Sequence, residues 1–408
     1  MLSGVGASTN DLWGLHIMKS QSLDAVCIVA GTTIGAGMLG LPMAIGFLGF
    51  KVSMVLLLVM WALAFYTSLL LLEVNLQVGA GLNVNMMVKK VLGRWGQVIA
   101  VVCLGFLLYA VLVAYVTAMG GIIARAIGVN GDAFSTGACS VAFALVMATI
   151  MYLGTNAIVR FNSLFFLSML GAMGIAFATL STTVDVNVLM DATPDYKYLV
   201  GSIPVLFASF SFHFCIPSIT TVVGTNTRQL VRIMFWGTLL PLLCYMLWLF
   251  LSLGSVPMDQ IVHMRGGVDS LIKSMCNGSV VIQTILSIFA AFALITSFFG
   301  VALSLFDLMA ETLRRGNSGR ERMGTTVIVF VPVIIASLLA PGGFIAALAH
   351  AGAALAVICI LLPCAMSYKL RREAKAAANK FVYMTPGGSM GIATAAVCGV
   401  VILVANYI

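Results

Sequence analysis

Long apolar runs, separated by short polar segments, dominate this sequence and restrict what it can fold into. Hydrophobic residues make up 61% of the 408 residues, and Asp, Glu, Lys and Arg only 8%, whereas a typical soluble domain is about 25% charged. So few charged side chains cannot cover a water-exposed surface, and the chain must therefore have lipid as its solvent. This excludes a soluble enzyme, a nucleic-acid-binding protein and a secreted disulfide scaffold.

Eleven of the apolar runs are long enough to cross a bilayer as helices, which takes about 20 residues. They are 24–47, 50–77, 98–124, 134–154, 159–181, 199–223, 232–254, 280–306, 324–340, 344–366 and 387–406. Backbone in contact with lipid must satisfy its hydrogen bonds internally, so all eleven are predicted to be helical with short connections. The predicted fold class is an all-α polytopic membrane protein, with a cytoplasmic N-terminal segment 1–23 and one transmembrane domain 24–408.

The net charge of +8 is explained by how the basic residues are distributed between the runs. With the N-terminus placed in the cytoplasm, 16 Lys and Arg residues fall in inner segments and five in outer segments. Positive residues concentrate on the cytoplasmic side of bacterial membrane proteins. The sequence therefore predicts a cytoplasmic N-terminus and an external C-terminus.

The first run contains a segment that is poorly suited to a helix facing lipid. Residues 31–42 read GTTIGAGMLGLP, with four glycines and a proline, which reduce helix propensity by about 1 kcal/mol per glycine and about 3 kcal/mol for the proline. Two interpretations are open on this segment alone. It is either an unwound hinge whose amides face an anionic group, or a site of close helix packing through small residues.

The sixth run has a comparable interruption. Residues 207–218 read FASFSFHFCIPS, which places polar residues and a proline near the middle of a membrane helix. Runs one and six are related by a repeat of five, and an odd-numbered repeat inserts its second copy upside down. Paired interruptions in two inverted halves indicate a transporter site near the bilayer midplane. The second interruption therefore favours the unwound interpretation of the first.

Three segments also carry a family resemblance. GTTIGAGMLGLP in run one, FASFSFHFCIPSI in run six and LITSFFGVALSLFD in run eight resemble the bacterial aromatic amino acid permeases, the tyrosine- and tryptophan-permease type of the amino acid–polyamine–organocation superfamily. The resemblance extends from about Met18 to the C-terminus, which leaves residues 1–17 as either an extension or an over-long start.

This resemblance implies a fold and a function. The fold is that of the leucine transporter, a five-plus-five inverted repeat with helices 1 and 6 broken. Repeat one would cover about 24–181, repeat two about 199–366, and an eleventh helix about 387–406. The implied function is cation-driven uptake of an aromatic amino acid across the inner membrane by alternating access, with tyrosine first and tryptophan or phenylalanine as other substrates.

The same resemblance implies the substrate contacts. Amides of the first interruption would bind the substrate carboxylate, and carbonyls of both interruptions would bind its ammonium group. An apolar slot lined by aromatic residues would hold the ring. Two tyrosines of run three are six residues apart, about 240° around a helix, so only one is expected to face the cavity. The predicted substrate-binding residues are Thr32, Thr33, Gly35, Ala36, Gly37, Tyr109, Tyr115, Phe207, Phe210, Ser211, Phe212 and His213.

Ionisable residues inside membrane segments are functional candidates by default. For His213, three roles stay open: a hydrogen bond to a substrate hydroxyl, a part in proton movement, or satisfaction of unwound backbone. Glu73 is interpreted as a structural partner of inner-side basic residues, with a proton relay as the second interpretation. Lys19 is proposed to pair with Asp307 or Glu311 as an inner gate.

The coupling ion is expected to be Na⁺ or H⁺. In the leucine-transporter fold, a sodium site forms from carbonyls of helix 1 and oxygens of helix 8. The corresponding residues here are Gly31, Ile34, Ala293, Thr296 and Ser297. Proton-driven relatives often place a lysine of helix 5 in that pocket, whereas this chain has Met169 near that position and no lysine in 162–174. The missing lysine favours sodium, although the Thr-Ser pair also occurs in proton symporters and does not decide between the ions.

The sequence also leaves functions other than transport of an aromatic amino acid open. A symporter for another neutral amino acid stays open, and a channel or membrane sensor is the alternative of another class, although no ring of charge or repeated filter loop is present. The sequence has no HExxH or CxxC motif, so no enzyme, cofactor or metal beyond sodium is expected. The expected partners are the amino acid and the lipid bilayer, and the oligomeric state is left open.

Overall fold

The computed structural model describes residues 22–129, 133–153, 155–190, 194–256, 260–261, 267–316, 318–340, 343–377, 381–405 and 407. Throughout these ranges the regular structure is helical, without strands. The helices are α1 (Ser22–Thr33), α2 (Gly37–Ile45), α3 (Gly49–Val78), α4 (Val84–Ala126), α5 (Ala133–Leu153), α6 (Thr155–Leu180), α7 (Val186–Met190), α8 (Leu199–Ala208), α9 (Ile216–Val223), α10 (Thr227–Ser255), α11 (Val268–Met275), α12 (Val280–Thr312), α13 (Gly319–Leu339), α14 (Phe344–Leu355), α15 (Leu362–Ala377) and α16 (Gly388–Ala405). A π-helical segment, Ala356–Leu361, joins α14 to α15.

Nine helical stretches within the described ranges are apolar and long enough to cross a membrane. This confirms the prediction of an all-α polytopic membrane protein. Two further apolar stretches are shorter, Ser22–Thr33 and Leu164–Leu180, and the second is part of α6, which extends over 26 residues. The first of them is short because the predicted run 24–47 is not one helix but is divided between α1 and α2.

The start of α4 corresponds to a segment, 80–96, whose sequence predicts an amphipathic helix at the inner interface. The side chain of Asn83 caps α4 by accepting the Met86 N–H over 2.8 Å. Ten residues on, Gly93 has φ 80° and ψ −166°, a conformation that only glycine adopts readily. This kink separates a short initial segment, where Lys89 and Lys90 are exposed, from the apolar remainder of α4.

The helices interrupted by the two predicted breaks lie at the centre of the packing. Helices α2 and α8 contact each other, α14 packs against both α4 and α8, and α10 contacts α2. Gly352 of α14 lies directly against the Pro204 carbonyl of α8, where a Cβ atom would overlap the backbone. Helix α12 packs against α4 and α6. Side chains from α4, α10 and α12 therefore surround the two breaks.

Candidate functional site

The first break separates α1 from α2 within the first predicted run. Helix α1 ends at Thr33, residues 34–36 are non-helical, and α2 starts at Gly37. The Met38 N–H donates to the Gly35 carbonyl over 3.1 Å, so α2 begins with the tighter three-residue spacing. The Gly35 N–H has no hydrogen-bond partner within the described part of the chain. A free amide beside a helix N-terminus is suited to binding an anion.

The hydroxyl of Ser297, on α12, lies against this break. The Ala36 N–H donates to Ser297 Oγ over 3.1 Å, and the Tyr115 side chain of α4 lies beside the same serine. A Cβ atom on Gly35 would lie 2.5 Å from Ser297 Oγ, so a larger residue would displace the serine. The structure thus places a predicted carboxylate-binding amide in contact with a predicted cation ligand.

The second break separates α8 from α9. Helix α8 ends at Ala208, residues 209–212 are non-helical, and a 3₁₀ turn, His213–Cys215, leads into α9. The Ser209 hydroxyl lies 3.0 Å from the Val205 carbonyl of its own helix and 3.3 Å from the Gly37 carbonyl, so the second break contacts the start of α2. Both interruptions predicted from the sequence are therefore present, and they contact each other.

Tyr245 of α10 connects the two breaks, and sequence reasoning missed it. Its side chain is fully buried, and its hydroxyl oxygen lies 2.6 Å from the Thr33 carbonyl and 2.8 Å from the Ser209 carbonyl. A phenol has one proton to donate, and here two carbonyls, one from each broken helix, share it. A single tyrosine in an apolar run has no local pattern that identifies it, because both of its partners are distant in sequence.

Replacing Tyr245 by Phe should destabilise the protein by about 1–3 kcal/mol, because buried carbonyls at both breaks lose their donor. The substrate KM should rise as well, since the spacing of the two carbonyls changes. Thermal unfolding in detergent and uptake kinetics would measure the two effects. Tyr66→Phe is a matched control that removes a hydroxyl bonded to the Pro386 carbonyl over 3.1 Å, away from both breaks. An unchanged KM in Tyr245→Phe would refute the positioning role.

Buried aromatic side chains surround the second break. Phe207, Phe210 and Phe212 have exposed fractions of 1%, 0% and 0%. The Phe210 ring lies 5.3 Å from the Tyr245 ring, and Phe207 and Phe212 lie 6.3 and 4.9 Å from the His213 ring, measured between centroids. Ring-to-ring packing of this kind is the interaction by which an aromatic substrate would be recognised.

The two candidate tyrosines of α4 have different surroundings. Tyr115 is buried and lies beside Ser297 at the first break. Tyr109 is half-buried, and its hydroxyl donates to the Ile328 carbonyl of α13 over 2.8 Å. Of the two, the structure thus brings Tyr115 to the breaks and places Tyr109 against another helix.

His213 is fully buried beside the second break and is bonded to α3. Its Nε2 lies 2.9 Å from Thr67 Oγ1. The Thr67 hydroxyl itself donates to the Ala64 carbonyl over 3.2 Å. Because the Thr67 hydroxyl gives its proton to this carbonyl, its oxygen accepts from Nε2, and Nε2 then carries the proton in the neutral ring. Nδ1 is then an acceptor, and it has no partner within the described part of the chain.

The remaining polar candidates bond locally. The hydroxyls of Thr32 and Thr33 each donate over 2.7 Å to a carbonyl four residues earlier, at Ile28 and Val29. Both threonines are therefore satisfied within α1 and make no side-chain bond to the second break. Ser211 lies in the second break and is half-buried.

The predicted cation ligands come from α1, the first break and α12. The Thr296 hydroxyl lies 2.9 Å from the Phe292 carbonyl and 3.2 Å from the Ala293 carbonyl, and its Oγ1 lies 3.7 Å from the sulfur of Met169 on α6. Gly31 also faces α6, where it lies close to a phenylalanine ring, and Ile34 is half-buried in the first break. The methionine at the position of the expected lysine is thus in contact with a predicted cation ligand.

Glu73 is an ion-pair partner at the end of α3. Its two carboxylate oxygens accept from Arg371 Nε and Nη2 over 2.7 and 2.6 Å, and the Thr385 N–H donates to Oε2 over 2.7 Å. The carboxylate is fully buried. This agrees with the structural interpretation of Glu73, since its oxygens are occupied by a guanidinium and a backbone amide that join α3, α15 and the segment before α16.

The proposed inner gate has only its acidic side within the described ranges. Asp307 and Glu311 lie one turn apart on α12, and both are exposed. Lys19 lies outside the residues that the structure describes, so its pairing stays a prediction.

Comparison of the sequence with known proteins identifies the family of this chain. The model of the tryptophan/tyrosine permease family matches residues 18–406, which contain both breaks, Tyr245 and Ser297. The chain belongs to this family. Members of such a family are transporters rather than enzymes.

Similar proteins within the family differ in the substrates that they are named for. The low affinity tryptophan permease of Escherichia coli is 31% identical over 87% of this chain and 88% of its own length. The tyrosine-specific transport system 2 of Haemophilus influenzae is 29% identical over 96% of this chain and 97% of its own length. The glutamine transporter 2 of Aliivibrio fischeri is 28% identical over 95% of this chain and its full length.

Proposed function

We propose that this chain is a cation-coupled symporter that imports an aromatic amino acid across the bacterial inner membrane by alternating access. The observation that carries the proposal is the pair of broken helices joined by the Tyr245 hydroxyl and surrounded by buried aromatic rings. The tryptophan and tyrosine permeases among its relatives support an aromatic substrate.

The proposed architecture is a five-plus-five inverted repeat with an eleventh helix. In it, α1 and α2 form one broken crossing and α8 and α9 form its counterpart in the second repeat. The two breaks then lie near the membrane midplane, where discontinuous helices of transporters expose backbone groups to a substrate. The N-terminus is proposed to be cytoplasmic and the C-terminus external, as the distribution of Lys and Arg predicts.

The substrate's charged groups are proposed to bind backbone atoms, and its ring the aromatic cluster. The carboxylate binds the amides of Gly35, Ala36 and Gly37 at the start of α2, where the helix dipole favours negative charge. The ammonium group binds carbonyls of both breaks, beside those that Tyr245 holds. The ring packs among the phenylalanines of the second break and Tyr115, with His213 Nδ1 available to accept a bond from an indole N–H or a phenol O–H.

The proposed coupling ion is sodium. Hydroxyl and carbonyl oxygens are the ligands that a hard cation prefers, and Thr296 and Ser297 supply hydroxyls beside the first break. A lysine at residue 169 would provide a fixed positive charge there, whereas Met169 is neutral. Without a fixed positive charge at residue 169, a sodium ion can bind beside Thr296 and Ser297.

Uptake of labelled tyrosine and tryptophan into proteoliposomes tests the function and the ion together. We expect accumulation under an inward sodium gradient at equal pH, and none under a pH gradient without sodium. Accumulation under the pH gradient alone would exclude sodium coupling but retain the transport proposal. Absence of saturable uptake of either amino acid under both conditions would overturn the transport proposal.

A second candidate is a symporter for another neutral amino acid, favoured by the glutamine transporter among the relatives. Competition separates the two, because glutamine lacks a ring to pack among Phe207, Phe210 and Phe212. Unlabelled tryptophan and tyrosine should compete with labelled tyrosine, whereas glutamine at the same concentration should not. Stronger competition by glutamine would favour the second candidate.

Met169→Lys should make uptake independent of sodium. The lysine has a chain of similar length, so its ammonium group would lie near Thr296 Oγ1, which is 3.7 Å from the Met169 sulfur, and would replace the cation. Met169→Leu is the matched control, because it conserves volume without charge and should keep the sodium dependence. Uptake by the two variants with sodium or choline measures the effect. A Lys variant stimulated by sodium as strongly as the wild type would contradict the assigned site.

A further inference from the structure

Ser297 lies where the proposed carboxylate site and the proposed cation site meet. Its hydroxyl accepts the Ala36 N–H over 3.1 Å, contacts Tyr115 and is packed closely against Gly35. The adjacent Thr296 has no such link, because its hydroxyl donates to carbonyls of its own helix. Of the two predicted hydroxyl ligands, Ser297 is therefore the one that is bonded to the substrate-binding backbone.

We infer that the hydrogen bond between Ala36 N–H and Ser297 Oγ couples substrate binding to cation binding, and that both ligands bind by replacing it. When the substrate carboxylate accepts the hydrogen bond from the Ala36 N–H, Ser297 Oγ loses that bond. The lone pair that accepted it can then coordinate the cation. When a cation is coordinated by the same lone pair of Ser297 Oγ, the Ala36 N–H loses its acceptor. That N–H can then donate to the carboxylate. This inference rests on the proposed function, and it identifies which residue transmits the coupling.

The sign and size of the coupling between the two affinities follow because both ligands require the same hydrogen bond, between Ala36 and Ser297, to break. The ligand that binds first breaks the bond, and the ligand that binds second finds its partner already free. Each ligand therefore raises the affinity for the other by the same factor. The net contribution of one such hydrogen bond corresponds to about a fivefold change in affinity.

Equilibrium binding of labelled tryptophan and tyrosine to the purified full-length protein, with sodium or choline, tests the inference. In the wild type, saturating sodium should tighten binding about fivefold. Ser297→Ala should bind the amino acid about fivefold more tightly than the wild type in choline, because the Ala36 N–H is already free, and sodium should add less than twofold. The tighter binding in choline is diagnostic, since loss of a cation ligand alone would not produce it.

Thr296→Ala is the matched control on the same helix. It removes a cation ligand but leaves the bond between Ala36 and Ser297. This variant should therefore need a higher sodium concentration for the effect, while saturating sodium should still tighten amino acid binding fivefold. Ser297→Cys, which keeps a side chain of similar shape with a weaker acceptor, is the second variant if the alanine variant is unstable. It should bind more tightly than the wild type in choline, by less than fivefold.

Two outcomes would overturn the coupling role. One is a serine variant that, in choline, binds the amino acid no more tightly than the wild type. The other is a wild type that binds tryptophan and tyrosine with an affinity that sodium does not change. Either result would remove this inference and leave the proposed aromatic substrate intact. A wild type that binds neither amino acid would instead overturn the proposed function, and the coupling with it.

Discussion

Gly35→Ala should reduce transport by at least about tenfold, because the new methyl group would lie 2.5 Å from Ser297 Oγ. Overpacking at a tight site costs about 1–3 kcal/mol, and displacing the serine also breaks its bond to the Ala36 N–H. Backbone strain contributes nothing, since Gly35 is not among the glycines with positive φ. The effect therefore measures the contact between the first break and α12.

Two further variants separate this contact from a general effect of removing glycine. Gly174→Ala on α6 is the matched control, because nothing lies within 4 Å of its added methyl group, and it should retain wild-type uptake. Adding Ser297→Ala to Gly35→Ala removes the overlapping oxygen and should restore thermal stability. Wild-type uptake by Gly35→Ala would contradict the assigned contact between the two residues.

Glu73→Ala should lower the free energy of unfolding by about 3–5 kcal/mol, the range for removing one partner of a buried ion pair. The carboxylate is fully buried, whereas the Arg371 side chain is 11% exposed, so the guanidinium would be left without its partner in a poorly solvated place. The segment before α16 should loosen too, because it is bonded to Glu73 through the Thr385 N–H. Thermal or denaturant unfolding in detergent would measure the loss.

Glu373→Ala provides the matched control for this prediction. Glu373 pairs with Lys369 over 3.8 Å, and the side chains are 60% and 49% exposed, so its removal should change stability by less than about 0.5 kcal/mol. The two interpretations of Glu73 are separated by Glu73→Gln. Wild-type stability combined with loss of uptake would favour the proton relay, whereas instability with retained uptake would favour the structural role.

The sequence predicts the positions of both breaks because their causes are local. Glycines and a proline weaken the first run, and polar residues with a proline weaken the sixth, so residues 34–36 and 209–212 depart from helix within the expected segments. Helix periodicity also predicts that Tyr109 and Tyr115 point in different directions, and the structure places them against different partners.

The contacts between the breaks depend on tertiary packing that local patterns do not contain. Tyr245 lies 212 residues from Thr33, and nothing around it distinguishes it from an aromatic residue that packs in a helix bundle. Ser297 was identified through the family resemblance, but its bond to Ala36, 261 residues away, was not predicted. For Glu73, the expected kind of partner was an inner-side basic residue, and the structure identifies it as Arg371.

Amide hydrogen exchange in the purified protein would show whether the two broken helices together bind one amino acid. Labelled solvent exchange should be compared without ligand, with tyrosine and with tryptophan. We expect slower exchange at residues 34–37 and 209–213 together when an aromatic amino acid binds, with little change at α16. Binding that leaves both segments unprotected, or protects only one of them, would contradict the account.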